Sequence, residues 1–158
     1  MADRREDDVR DDMRATITML ALAVHLGALA APLPEPVGYV MTLQAPAYLM
    51  ARDNHTPART GQAVVDESTL QTGPGGTLGI TFEDGTRLAL GPQSDVELLD
   101  YRFDPAADAL ALHLYLHRGT LSLAPGRLAS LRPDAVTVQT DEGLVAVRDA
   151  HLLLKVAP

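Results

Sequence analysis

From Val37 onward the apolar residues recur at every second position, in short runs broken by Gly, Pro, Asp or Asn. A period of two puts alternate side chains on one face of an extended chain, so this pattern predicts strands. The clearest unit spans residues 77–90. Leu78, Ile80 and Phe82 alternate with Gly79 and Thr81, Glu83-Asp84-Gly85-Thr86 follows, and Leu88 and Leu90 then alternate with Arg87 and Ala89. Asp-Gly between two alternating runs predicts a hairpin, because these residues tolerate the positive φ angles of a tight turn. Leu110, Leu112, Leu114 and Leu116 share one face of a second run, with Ala111, His113, Tyr115 and His117 on the other.

The same reasoning predicts strands over residues 37–43 and 47–51, joined near Pro46, then a turn at Asp53-Asn54-His55 with Pro57 beyond it. Arg118-Gly119 is read as a turn into a strand over 120–123. Strands over 136–140, 144–148 and 152–156 complete the set, with a turn at Glu142-Gly143. No segment sustains a 3.6-residue period between caps. The expected fold is therefore all-β, a single antiparallel β-sandwich or β-roll domain of about ten short strands.

The first residues follow different rules. MADRREDDVRDD is dense in charge of both signs and lacks apolar periodicity, so it is expected to be disordered. Met13-Arg14 then leads into an uncharged run from Ala15 to Ala31 whose single ionisable group is His25, and Pro32, Pro34 and Pro36 follow. A basic residue, an apolar stretch, small residues and then helix breakers is the layout of a secretory signal peptide. Residues 1–31 are thus expected to be a charged start and an N-terminal hydrophobic signal helix, cleaved after Ala30 or Ala31, with translation starting at Met1 or Met13. Residues 32–158 are expected to be the β domain. An uncleaved anchor, with Arg4, Arg5, Arg10 and Arg14 on the cytoplasmic side, is the alternative. A run of this length is at the low edge of the roughly 17–25 residues that cross a bilayer.

Charge narrows the partners. The chain carries 13 Lys plus Arg against 21 Asp plus Glu, a net −8. Removing residues 1–31 takes away 6 acidic and 4 basic residues and leaves 15 against 9, or −6. A nucleic-acid partner is not expected, since phosphate neutralisation needs a basic face. The absence of cysteine excludes disulfides, thiolate metal sites and a cysteine nucleophile. Aromatic residues make up 4%, so the core must come from Leu, Val, Ala and Ile.

Catalytic chemistry is hard to find. His113 and His117 have a metal-ligand spacing for a helix, but on a strand they would lie roughly 13 Å apart, too far for one ion. Asp100, Asp104 and Asp108 lack the dense oxygen pattern and central glycine of a calcium loop, and are read as a solvated loop around Pro105. No nucleophile-elbow sequence surrounds Ser94 or any other serine. Gly73-Pro74-Gly75-Gly76 lacks the Lys-Ser/Thr of a phosphate loop and is read as a turn. No enzyme activity, cofactor or metal is expected. Glu83, Asp84 and Arg87 are expected to face solvent at the hairpin tip and to be the binding loop if the domain binds a ligand, since such contacts concentrate at loop tips.

One ordered set of motifs remains. Thr72-Gly73-Pro74-Gly75-Gly76, Asp84-Gly85-Thr86, Gly91-Pro92-Gln93-Ser94, Tyr101-Arg102-Phe103-Asp104, Arg118-Gly119-Thr120 and Val138-Gln139-Thr140 occur in sequence. From Gly38 to the C-terminus the chain resembles the FecR domain, an all-β module of bacterial cell-envelope proteins. It departs from the family pattern where Asp149-Ala150 follows Arg148 in place of Gly-Thr. The resemblance implies envelope location and a sensing or binding role. The family's namesake relays a signal across the membrane to a sigma factor through a cytoplasmic N-terminal domain, for which residues 1–12 are too short. The expectation is a stand-alone exported binding module in the periplasm, engaging an envelope protein or a cell-wall glycan. The alternative is an inner-membrane-anchored regulator of anti-sigma type.

Overall fold

A computed structural model describes residues 33–52, 54–148 and 150–157. The expected signal segment at 1–31, the turn residue Asp53 and the departure at Asp149 lie outside the described residues. The β domain forms one compact unit. Its strands are β1 Pro36–Gln44, β2 Ala47–Ala51, β3 Asn54–Pro57, β4 Ala63–Val65, β5 Ser68–Thr72, β6 Thr77–Phe82, β7 Arg87–Leu90, β8 Asp95–Asp104, β9 Ala109–Ala124, β10 Val136–Thr140, β11 Gly143–Ala146 and β12 Leu152–Val156. One short helix, α1 Arg127–Leu131, lies between β9 and β10.

The strands form a single mostly antiparallel sheet that curls into a half-barrel. One leaf runs β4-β1-β6-β7-β9-β12 and the other β3-β2-β5-β8-β9-β10-β11. The long β9 belongs to both. Its first part pairs with β8 from Asp95↔Arg118 to Asp104↔Ala109, and its second part pairs with β7 and β12. The leaves are therefore joined through a shared strand, as in a roll, and are not two separate sandwich sheets.

The alternating leucines do what their period requires. Leu110, Leu112, Leu114 and Leu116 are buried, and so are Leu78, Ile80, Phe82, Leu88 and Leu90. They meet Leu49, Leu70, Val96, Leu98, Leu121 and Leu123 in one core between the leaves. The β6–β7 hairpin forms as predicted, with Gly85 at φ +86°.

Several expectations need correction. Asn54 and His55 are not in a turn: they open β3, and the reversal falls at Arg52, whose φ is +55°. Pro57 is accommodated because β3 is an edge strand and needs no amide donor on its free side. Arg118-Gly119 does not reverse the chain; it bends β9 from one leaf to the other, with Gly119 at φ +93°. The β9–β10 pair is parallel, an exception to the antiparallel expectation. Asp100 and Asp104 are on β8 and only Asp108 is on the following turn. Beyond these, β4, β5 and β8 add strands and α1 adds a helix.

Candidate functional site

The three residues expected at a binding tip separate in space. Glu83 is exposed, beside a cleft lined by Pro36, Val37, Tyr39 and Phe103. Arg87 projects from the outer face of β7. Asp84, expected in solvent, is 1% exposed. Its carboxylate accepts hydrogen bonds from Thr86 Oγ1 (2.6 Å), Thr86 N (3.3 Å), Leu128 N (3.1 Å) and the Tyr101 hydroxyl (3.1 Å). The reason lies in α1, whose N-cap, Gly126, has no side chain to satisfy the first amides of the helix. Asp84 supplies that cap from 44 residues away, while its carbonyl accepts from Arg127 N and Thr86 Oγ1 accepts from Gly126 N. Asp84-Gly85-Thr86 is thus a structural latch. Asp followed two residues later by Thr signals a local Asx turn, but the burial depends on α1.

Tyr101 completes the latch. Its hydroxyl accepts from Asp84 N (3.0 Å) and donates to Asp84 Oδ1, and its ring stacks on Phe82 with centroids 5.2 Å apart. Burial, reinforced by the Asp84 and Glu83 charges, raises the phenol pKa well above the ordinary value of 10.0. Folding then favours the protonated phenol, so between the unfolded and folded values the native state binds more protons and stability falls as pH rises. We expect the domain to lose stability above about pH 10, with a smaller loss in Tyr101→Phe. At neutral pH the same variant is expected to unfold about 1–2 kcal/mol more easily, because Asp84 N loses its acceptor. Urea titrations at pH 7 and pH 11 test both, and equal alkaline losses in the two proteins would contradict the assignment.

A second knot holds the corner where β5, β8 and β9 meet. Ser94 Oγ accepts from Thr120 N (2.9 Å) and lies 2.9 Å from the Gly91 carbonyl, to which it donates. Thr72 Oγ1 donates to the same carbonyl (2.6 Å) and accepts from Ser94 N (2.9 Å). Ser94 is committed to backbone groups rather than to a histidine. Gly73-Pro74-Gly75-Gly76 is a turn closed by Gly76 N donating to Gly73 O at 3.0 Å, with Gly75 at φ +75°.

His113 and His117 both face outward from β9. The first bonds Thr137 Oγ1 at 2.8 Å through Nδ1, and the second packs at a tilt against the Tyr115 ring and lies 3.4 Å from Glu97. Asp100 pairs with Arg102 at 2.6 Å, and that guanidinium holds its carboxyl below the usual range. Among the described residues no three His, Asp or Glu side chains converge as a metal site would need.

Besides the cleft at Glu83, a groove of about 380 Å³ opens on the outer face of the β1-β6-β7-β9-β12 leaf, lined by Met41, Gly79, Arg87, Ala89, Ser122 and His151. The register explains it. Thr42, Gly79, Ala89, Ser122 and Leu153 oppose one another in turn across these strands. Gly79, Ala89 and Ser122 are small, so the floor is low; Met41, 57% exposed, lines one end, and Leu153, 72% exposed, opposes Ser122 on β12 just beyond the lining residue His151. Ser122 and His151 share a hydrogen bond of 2.7 Å at one wall. Of the three expected residues only Arg87 reaches this groove. The groove's other lining residues are not legible as a site in the sequence because the row assembles across five strands.

A model of the FecR protein family matches residues 68–157, a span of 90 of the 158 residues, from β5 through β12. No curated protein and no solved structure matches the chain.

Proposed function

The chain belongs to the FecR family, and from that premise we propose that its β domain is a non-catalytic binding and sensing module of the bacterial cell envelope. The family match supports a part in signal transduction. One observation carries the module reading. The motif side chains Asp84, Thr86, Ser94 and Thr72 are committed to internal hydrogen bonds that hold hairpin, helix and corner in place. Reactive groups are thereby used for architecture, and an open sheet face is left for contact. The partner is an envelope protein or a cell-wall glycan. Immobilised residues 32–158 are expected to retain one of the two from envelope extract or peptidoglycan fragments, and retention of neither would remove this reading.

The run from Ala15 to Ala31 with its following prolines supports export to the periplasm. Among the described residues no helix is long and apolar enough to cross a membrane. The intact mass of protein from a periplasmic fraction is expected to match a chain beginning at Ala31 or Pro32. A full-length mass found only in membranes would favour the second reading, an anchored regulator of anti-sigma type, for which the family match also speaks. Deleting residues 1–12 would then change transcription of a target gene, whereas the exported module predicts no change.

A further inference from the structure

The leaf that carries the groove differs in charge from strand β8 of the other leaf, which holds Asp95, Glu97, Asp100 and Asp104. Its strands β1, β4, β6, β7 and β12 and the 119–124 part of β9 contain no Asp or Glu, in a protein of net charge −8. They carry two cations, Arg87 and Lys155, both exposed and neither in an ion pair among the described residues. Arg102, Arg118, Arg132 and Arg148 each have an acidic partner, while Arg59 and Arg127, outside this leaf, have none among the described residues. The two free cations flank the groove: Arg87 is in register with Ala124 and Lys155 with Thr120, while the floor residue Ser122 lies between those rows. Four residues along a strand and two strands across separate their Cα atoms by roughly 16 Å.

Resting on the binding-module reading, we propose that this face docks an acidic segment of a partner protein. An extended chain covers that span in about five residues. The segment presents one bulky apolar side chain to the Gly79–Ala89–Ser122 floor, between Met41 and Leu153, with a carboxylate on either side meeting Arg87 and Lys155. A low floor between raised apolar walls is the shape that takes an anchor side chain, and charge complementarity sets its register and orientation. A second copy of this face is disfavoured, since it would bring like charges together. An anionic bilayer is disfavoured because the remaining surface is acidic.

The test uses synthetic ten-residue peptides with a central Phe or Leu flanked by Asp or Glu four to six residues apart, and matched peptides with Lys in place of the acids. Binding is read by fluorescence anisotropy and by amide shift mapping. The expected result is binding of the acidic set with shifts on β6, β7 and β12, at least tenfold weaker binding of the Lys set, and weakening as salt rises. An Arg87→Glu, Lys155→Glu double variant is expected to lose at least tenfold at an unchanged urea midpoint, and Ala89→Arg, which fills the floor, to lose a similar factor. Shifts confined to the β8–β10 face, equal affinity for the Lys set, or binding of phosphatidylglycerol vesicles or muropeptides through the groove in place of peptide would each overturn the proposal. Photo-crosslinking in cells separates this failure from that of the broader reading. Crosslinks from Tyr115 but not from Met41 or Leu153 keep a binding module and discard this face; none from either face discards both.

Discussion

Gly119→Ala is expected to be strongly destabilising, costing roughly 3–5 kcal/mol from left-handed backbone strain and overpacking together. Gly119 sits at φ +93°, where an L side chain is strained, and a Cβ there would lie 2.3 Å from Ser94 Oγ and 2.4 Å from Ser94 Cα. Neither atom is the free end of a flexible side chain. Ser94 Oγ is held by Thr120 N and the Gly91 carbonyl, so making room for the methyl breaks the knot that turns β9 from one leaf into the other. Gly75→Ala is the control: φ is +75° there, but nothing lies within 4 Å of the added carbon. It should cost only about 1–2 kcal/mol. Urea unfolding of both variants separates crowding from backbone strain, and equal losses would show that the corner can relax and that the contact with Ser94 does not matter.

The second large effect is at Asp84. Replacing it with Ala removes the acceptor for Leu128 N, Thr86 N, Thr86 Oγ1 and the Tyr101 hydroxyl in a site closed to water. Each buried donor left unsatisfied costs about 1–3 kcal/mol, and partial relaxation brings the sum to roughly 3–5 kcal/mol. Asp84→Asn retains shape and one acceptor oxygen but turns an amide donor toward other donors, so it should recover only part of the loss. Hydrogen exchange supplies the local signature, because the amides of Gly126 and Leu128 should lose protection before those of β6 and β7. A loss below about 1 kcal/mol in Asp84→Ala would mean that α1 is capped by other means.

Both residues lie in motifs that the sequence displays plainly, yet their roles are not legible there. Asp84-Gly85 reads as a hairpin tip, and it is one; what the chain cannot display is that Gly126, 42 positions later and lacking a side-chain cap, brings its helix onto that tip. Exposure was therefore the natural expectation for Asp84, and it held only for Glu83 and Arg87. Strand β8 was obscured for a different reason. A bulge between Leu98 and Asp100 shifts the register, so Val96 and Leu98 point inward, Leu99 outward, and Tyr101 inward again. The period of two is broken in mid-strand, which removes the signal on which strand recognition depends. Helix α1, only five residues long, is too short to display a period at all.

The sequence by itself determined the local structure: the all-β class, the limits of β2, β10 and β12, the β6–β7 hairpin and the buried face of the leucine run in β9. These depend on neighbours two to four positions apart, where alternation and turn chemistry act directly. Tertiary structure alone decided that β9 serves two leaves, that β10 lies parallel to it, that Asp84 is buried, and that Thr42, Gly79, Ala89, Ser122 and Leu153 form one row above an acid-free face. Each of these joins residues tens of positions apart, and such pairings are set by how strands order themselves around a common core rather than by any local pattern.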